Sequence, residues 1–144
     1  MIITNQNEKD IEIILEQWKT CVEMANSVSQ RRDAMNNIFI TLNLAVVTAI
    51  SFNFEIKSLF ILGAGIIVSI IWILFIRNYK LLNTEKFKVI NEIENKLPVK
   101  PFNTEWEKLK INKKYRDSTK LENVLPIIFI ILYIIAIFVI VKFR

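Results

Sequence analysis

With 144 residues the chain has room for one domain, and 53% hydrophobic side chains with a mean hydropathy of +0.36 lie outside the range of ordinary soluble domains. One cysteine excludes an internal disulfide, and the lack of histidine removes the commonest metal ligand and general base, so zinc sites and histidine-dependent catalysis are excluded. A net charge of +5 suits an anionic partner and equally suits the basic cytoplasmic loops of a membrane protein.

The chain before Gln30 holds seven charged side chains and no continuous apolar run, so a cleavable signal sequence is not expected. Residues 8–36 read as an amphipathic helix. Ile11, Leu15, Trp18, Val22, Ala25 and Val28 recur at spacings of three and four, with Glu12, Glu16, Lys19 and Glu23 between them. So broad a stripe needs a partner helix. Cys21 lies on or beside it and is assigned packing, not thiol chemistry. Arg31 and Arg32 then mark a membrane boundary.

Residues 37–54 form the first predicted span. It is short and polar, with Asn37, Thr41, Asn43, Thr48 and Ser51 inside it. On a helical wheel these five, with Asn36, share one half with Ile40, Leu44 and Val47, and the other half is wholly apolar. Two readings stand. The polar groups bond to neighbouring helices as packing, or Asn37, Thr41, Leu44, Thr48 and Ser51 line a water-filled path in an oligomer.

A six-residue turn, 53–58, permits only an antiparallel hairpin. The second span, residues 59–76, is 18 residues without a charge, about the minimum to cross a ~30 Å hydrocarbon core at ~1.5 Å per residue. Within it Gly65 and Ser69 form a small-xxx-small pair that permits close helix approach. No proline separates this span from Arg77 and Lys80, so one long helix is predicted to continue from lipid into water. Tyr79, Leu82, Ile90, Ile93 and Leu97 make its interrupted apolar stripe, suited to the N-terminal helix. Pro98 and Pro101 are expected to end the helix in an extended connection, and Asn103 or Thr104 to cap a short helix carrying Trp106, a packing plug or interfacial anchor. A basic loop follows, with Lys108, Lys110, Lys113, Lys114, Arg116 and Lys120, completing the cytoplasmic region 77–123. Residues 124–142 form a third span, with Pro126 tolerated in its first turn.

Lys and Arg number four before Asn37, one in the turn, twelve between Arg77 and Asn123 and two at the end. The positive-inside rule therefore puts the N-terminus and the long loop in the cytoplasm and the C-terminus outside. The fold expected is an all-α membrane protein of three transmembrane helices, with an N-terminal amphipathic helix and a cytoplasmic extension of the second span.

Three stretches resemble a known group of small bacterial membrane proteins. They are EQWKTCVEMANSVSQRRDAMNNIFITLN, RNYKLLNTEKFKVINEIENKLPVKPFNTEW, and the pattern Thr119, Glu122, Pro126 and Tyr133. Together they resemble the RipA-family octameric membrane proteins, and the layout is similar to the wider SLATT class. The resemblance implies homo-oligomers in the bacterial inner membrane. It further implies pore-forming effectors of antiphage defence by abortive infection, controlled by a nucleotide or oligonucleotide that a partner nucleotidyltransferase makes. The signature residues Asn83, Lys86, Phe87, Glu92, Leu97, Pro98 and Trp106 also read as a packing code.

Two functions follow. One is a homo-oligomeric ion channel whose cations Arg31, Arg32, Arg77, Lys80, Lys86 and Lys88 form a basic cytoplasmic vestibule for an anionic nucleotide, DNA or RNA oligomer. The other is a non-conducting scaffold that supports the envelope or recruits a partner. No enzyme is expected, because the carboxylates of the aqueous helices are interleaved with lysines as on solvated faces. No cofactor is implied.

Overall fold

A computed structural model describes residues 2–52, 55–112 and 118–142, the side chains of residues 2–6 excepted. The predicted turn residue Asn53, the loop cations Lys113, Lys114 and Arg116, and the terminal Phe143 and Arg144 lie outside the described residues. Among the described residues the chain is all-helical: α1 (Ile2–Phe52), α2 (Ser58–Glu94), α3 (Pro101–Ile111), α4 (Ser118–Glu122) and α5 (Val124–Lys142). The sequence explains the length of the first two, since the chain meets no glycine before Gly63 and no proline before Pro98. Three helical stretches, Asn7–Phe52, Ser58–Glu94 and Ser118–Lys142, are long and apolar enough to cross a membrane. The first is the least hydropathic of the three, 1.5 against 2.9 and 3.4, because it carries the amides and hydroxyls described below.

The chain divides into two compact units. One comprises Met1–Gln30 and Lys80–Tyr115, and its buried centre holds Ala25, Val28, Ile90 and Glu94. Ile11, Leu15 and Leu82, expected on the buried stripes, are exposed instead. The helix α3 departs from expectation at its start. Pro101 opens it rather than belonging to an extended connection, because its fixed φ suits the first helical turn, where its missing N–H is not needed. Neither Asn103 nor Thr104 caps it. The fully buried Glu94 carboxylate does so, accepting the N–H groups of Phe102 and Asn103 at 3.1 Å each. Two free donors and the positive end of the helix dipole thus offset the burial of that carboxylate. The Phe102 ring lies 5.8 Å from Trp18 and edge-on to Phe87 at 5.5 Å. Trp106 is no plug: it is 47% exposed, with the Lys110 ammonium 5.7 Å from its ring centroid. On α1, Lys19 lies 2.7 Å from Glu16, and that hydrogen bond raises its pKa.

The other unit comprises Arg31–Tyr79 and Arg116–Arg144, where α1, α2 and α5 pack around two apolar clusters. Phe39 stacks on Trp72 at 5.8 Å with Ile76 beside them, and Ile50, Leu62, Tyr133 and Ile140 form the second cluster. Gly65 is needed there. A Cβ on it would meet Tyr133 Cε2 at 2.8 Å and Val46 Cγ1 at 3.0 Å, whereas one on Gly63 would meet nothing within 4 Å. Pro126 is the third residue of α5 and buried, in the first turn as expected.

Candidate functional site

The site is the part of α1 that follows Arg31. Its periodicity gives it two faces of different chemistry. Phe39, Asn43 and Ile50 are buried against the neighbouring helices. The Asn43 amide is the polar centre of that contact: its Oδ1 accepts from Ser69 Oγ at 2.9 Å and from Tyr133 Oη at 2.8 Å, while Nδ2 donates to the Phe39 carbonyl. Asn43, Ser69 and Tyr133 are essentially inaccessible, and in hydrocarbon such groups must satisfy one another.

Asn37, Thr41, Leu44, Thr48 and Ser51 occupy the opposite side. All five are exposed in the protomer. At 100° per residue they fall in an arc of roughly 80°, so they form one stripe along the helix. The hydroxyls of Thr41, Thr48 and Ser51 donate to the carbonyls of Asn37, Leu44 and Val47, one turn back, at 2.8 to 2.9 Å. Each donor is satisfied within α1, and the hydroxyl oxygens retain acceptor capacity. The polar half seen in the sequence is therefore two surfaces. Asn36 and Asn43 bond across helices, and among the described residues the five stripe residues do not.

The six cations do not behave as one set. Arg32 is occupied: its guanidinium donates to Glu122 at 2.8 Å and to Thr119 Oγ1 at 3.0 Å, with only 14% of the side chain accessible. Asn36 joins this clasp, donating to Glu122 at 3.3 Å and accepting from Trp72 Nε1 at 2.8 Å. Arg31 and Arg77 are exposed in the same unit. Lys80, Lys86 and Lys88 belong to the other unit, where Lys80 and Lys88 are exposed, Lys86 is half-buried and Lys88 pairs with Glu85 at 2.6 Å. Sequence reasoning missed the clasp. Its one signal is Glu122, the last acid ahead of the third apolar run, opposite in charge to the arginines ahead of the first.

The sequence profile of the octameric membrane protein family (8xMP) matches residues 15–142, nearly the whole chain. The chain belongs to that family. It matches no curated protein and no solved structure. The 8xMP name supports a homo-oligomer in the membrane, and the family is not an enzyme family.

In this 8xMP protein the first of the three stretches behind the resemblance meets each of the other two, the second through Trp18 and Phe102. Arg32 from the first holds Thr119 and Glu122 from the third, Asn43 from the first holds Tyr133 from the third, and Phe87 and Phe102 of the second meet each other. These residues shape the protomer. The stripe from Asn37 to Ser51 makes no such contact among the described residues.

Proposed function

We propose that copies of this chain assemble around an ion-conducting pore lined by Asn37, Thr41, Leu44, Thr48 and Ser51. One observation carries the reading: the polar residues that the protomer does not use lie in a single exposed stripe, on the side of α1 away from its packed face. A three-span protomer cannot enclose a wide conduit, so the pore is intersubunit. Leu44 interrupts the hydroxyls and supplies an apolar constriction of the kind that gates by dewetting. In keeping with the resemblance to SLATT-type effectors, opening in the bacterial inner membrane depolarises the cell during phage infection. The N-terminus and basic loop face the cytoplasm. There an anionic nucleotide or oligonucleotide controls the pore; Arg31 and Arg77 in one unit, and separately Lys80, Lys86 and Lys88 in the other, attract it in a salt-sensitive manner. Arg32 takes no part, since the clasp with Glu122 and Thr119 neutralises its charge and leaves only 14% of its side chain accessible.

The test is conductance of the purified oligomer in planar bilayers, alongside membrane potential in expressing cells. Thr41→Leu combined with Thr48→Leu is expected to abolish both signals at unchanged oligomer size, because both side chains are exposed and neither contributes to the packed face. Unaltered conductance in that variant would refute the lining. No conductance in the wild-type protein, with or without added oligonucleotide, would leave the scaffold as the function.

A further inference from the structure

The exposed stripe of α1 extends one turn ahead of Asn37 and gains a charge there. Asp33 precedes Asn37 by one turn and Ser51 by 18 residues, about five whole turns, so it falls in the same arc of roughly 80°. It is the one ionisable residue in that arc. From Arg31 to Phe52 the chain carries three, and the other two, Arg31 and Arg32, lie about 120° and about 140° from the centre of the arc. Asp33 is exposed, and among the described residues it joins no ion pair and no hydrogen bond.

The space beside it has the same sign. Asp33, Asn37 and Glu122 line an open pocket of about 280 Å³ together with Ile40, Trp72 and Leu125, and among the described residues no lysine or arginine lines it. The charge of Glu122 is offset, since its Oε2 accepts from Arg32 at 2.8 Å and from Asn36 at 3.3 Å. Asp33 has no such partner, so its carboxylate sets the sign of the field where the stripe begins.

We propose that Asp33 makes the pore select for small monovalent cations, with one carboxylate from each subunit forming an acidic ring at the mouth. The inference rests on the pore reading above and names what that pore passes. A ring of carboxylates concentrates cations and repels anions, and in a symmetric assembly the fields of all copies add on the axis. The rest of the lining is neutral: Asn37, Thr41, Thr48 and Ser51 offer amide and hydroxyl dipoles, and Leu44 offers none. Selection by charge therefore falls to Asp33. Cation entry is also the flux that depolarises a cell.

The test is the reversal potential of the purified oligomer in planar bilayers under a potassium chloride gradient. The wild-type protein should pass potassium over chloride by about tenfold or more at 0.1 M salt, and the preference should shrink at 1 M, where the screening length falls from about 10 Å to about 3 Å. Asp33→Asn should still conduct, with a ratio within about twofold of unity, while Asp33→Glu keeps the preference and Asp33→Lys reverses it. Native electrophoresis checks that each variant assembles. Asp33→Cys in a Cys21→Ser background repeats the comparison on an oligomer already formed: a negatively charged thiol reagent should restore the cation preference, and a positively charged one should favour chloride. Conduction without charge preference, or a preference that survives Asp33→Asn, overturns the role of Asp33 and leaves the pore standing. A wild-type oligomer that conducts nothing overturns the pore and this inference with it.

Discussion

Replacing Asn43 by leucine keeps the branching and approximate size of the side chain and deletes its polar atoms. Ser69 and Tyr133 then lose their shared acceptor, at 2.9 and 2.8 Å. Interhelical hydrogen bonds in membranes contribute on average about 0.6 kcal/mol and at most about 1.7. Neither donor is stranded, for the Ser69 hydroxyl can turn to the carbonyl one turn back and Tyr133 Oη already lies 3.2 Å from the Asn43 carbonyl. The predicted loss is therefore about 1–2 kcal/mol rather than the full penalty of two unpaired donors. Tyr133→Phe removes one of the two bonds and should cost about 0.6–1 kcal/mol, with the double variant falling short of additivity by a similar amount. Unfolding in mixed micelles, at one protomer concentration throughout, measures all three. Strict additivity would refute the network, because the two substitutions would then act on separate contacts. The same variants should conduct normally, unlike Thr41→Leu with Thr48→Leu, since Asn43 faces the helices and not the stripe.

Gly65→Ala should destabilise the protein by about 1–3 kcal/mol through the contact of the new Cβ with Tyr133. Gly63→Ala, where the space is open, should be neutral or stabilising by up to about 1 kcal/mol in the same assay. Glu94→Gln retains an acceptor for α3 but removes its charge, which predicts a loss of about 1–2 kcal/mol. Hydrogen exchange should register this as roughly tenfold faster exchange at Phe102 and Asn103.

Where periodicity ran over many residues, the sequence was a sufficient guide. Three apolar stretches, the long helix through Arg77 and the fit of Pro126 into a first turn depend on local chain chemistry, and the structure has each of them. Local rules failed where a distant group intervened. Asn103 and Thr104 have the chemistry of caps, yet Glu94 does the capping, because a carboxylate brought up by the chain reversal serves two N–H groups at once. Leu82 fits the apolar spacing of α2 yet is exposed, since spacing alone does not say how far a partner helix covers a stripe.

The candidate site divides along the same line. That Asn36, Asn37, Thr41, Asn43, Thr48 and Ser51 share half of a helix follows from 100° per residue and the sequence alone. Which of them turn inward does not, because that depends on where α2 and α5 lie around α1. Their packing commits Asn36 to Trp72 and Glu122, and Asn43 to Ser69 and Tyr133, and leaves Asn37, Thr41, Thr48 and Ser51 outside. In the same way the sequence by itself determined that Arg32 carries a charge at a membrane boundary. Only tertiary structure decided that Glu122, 90 residues away, neutralises it, since an ion pair of such separation depends on helix packing and on no local pattern.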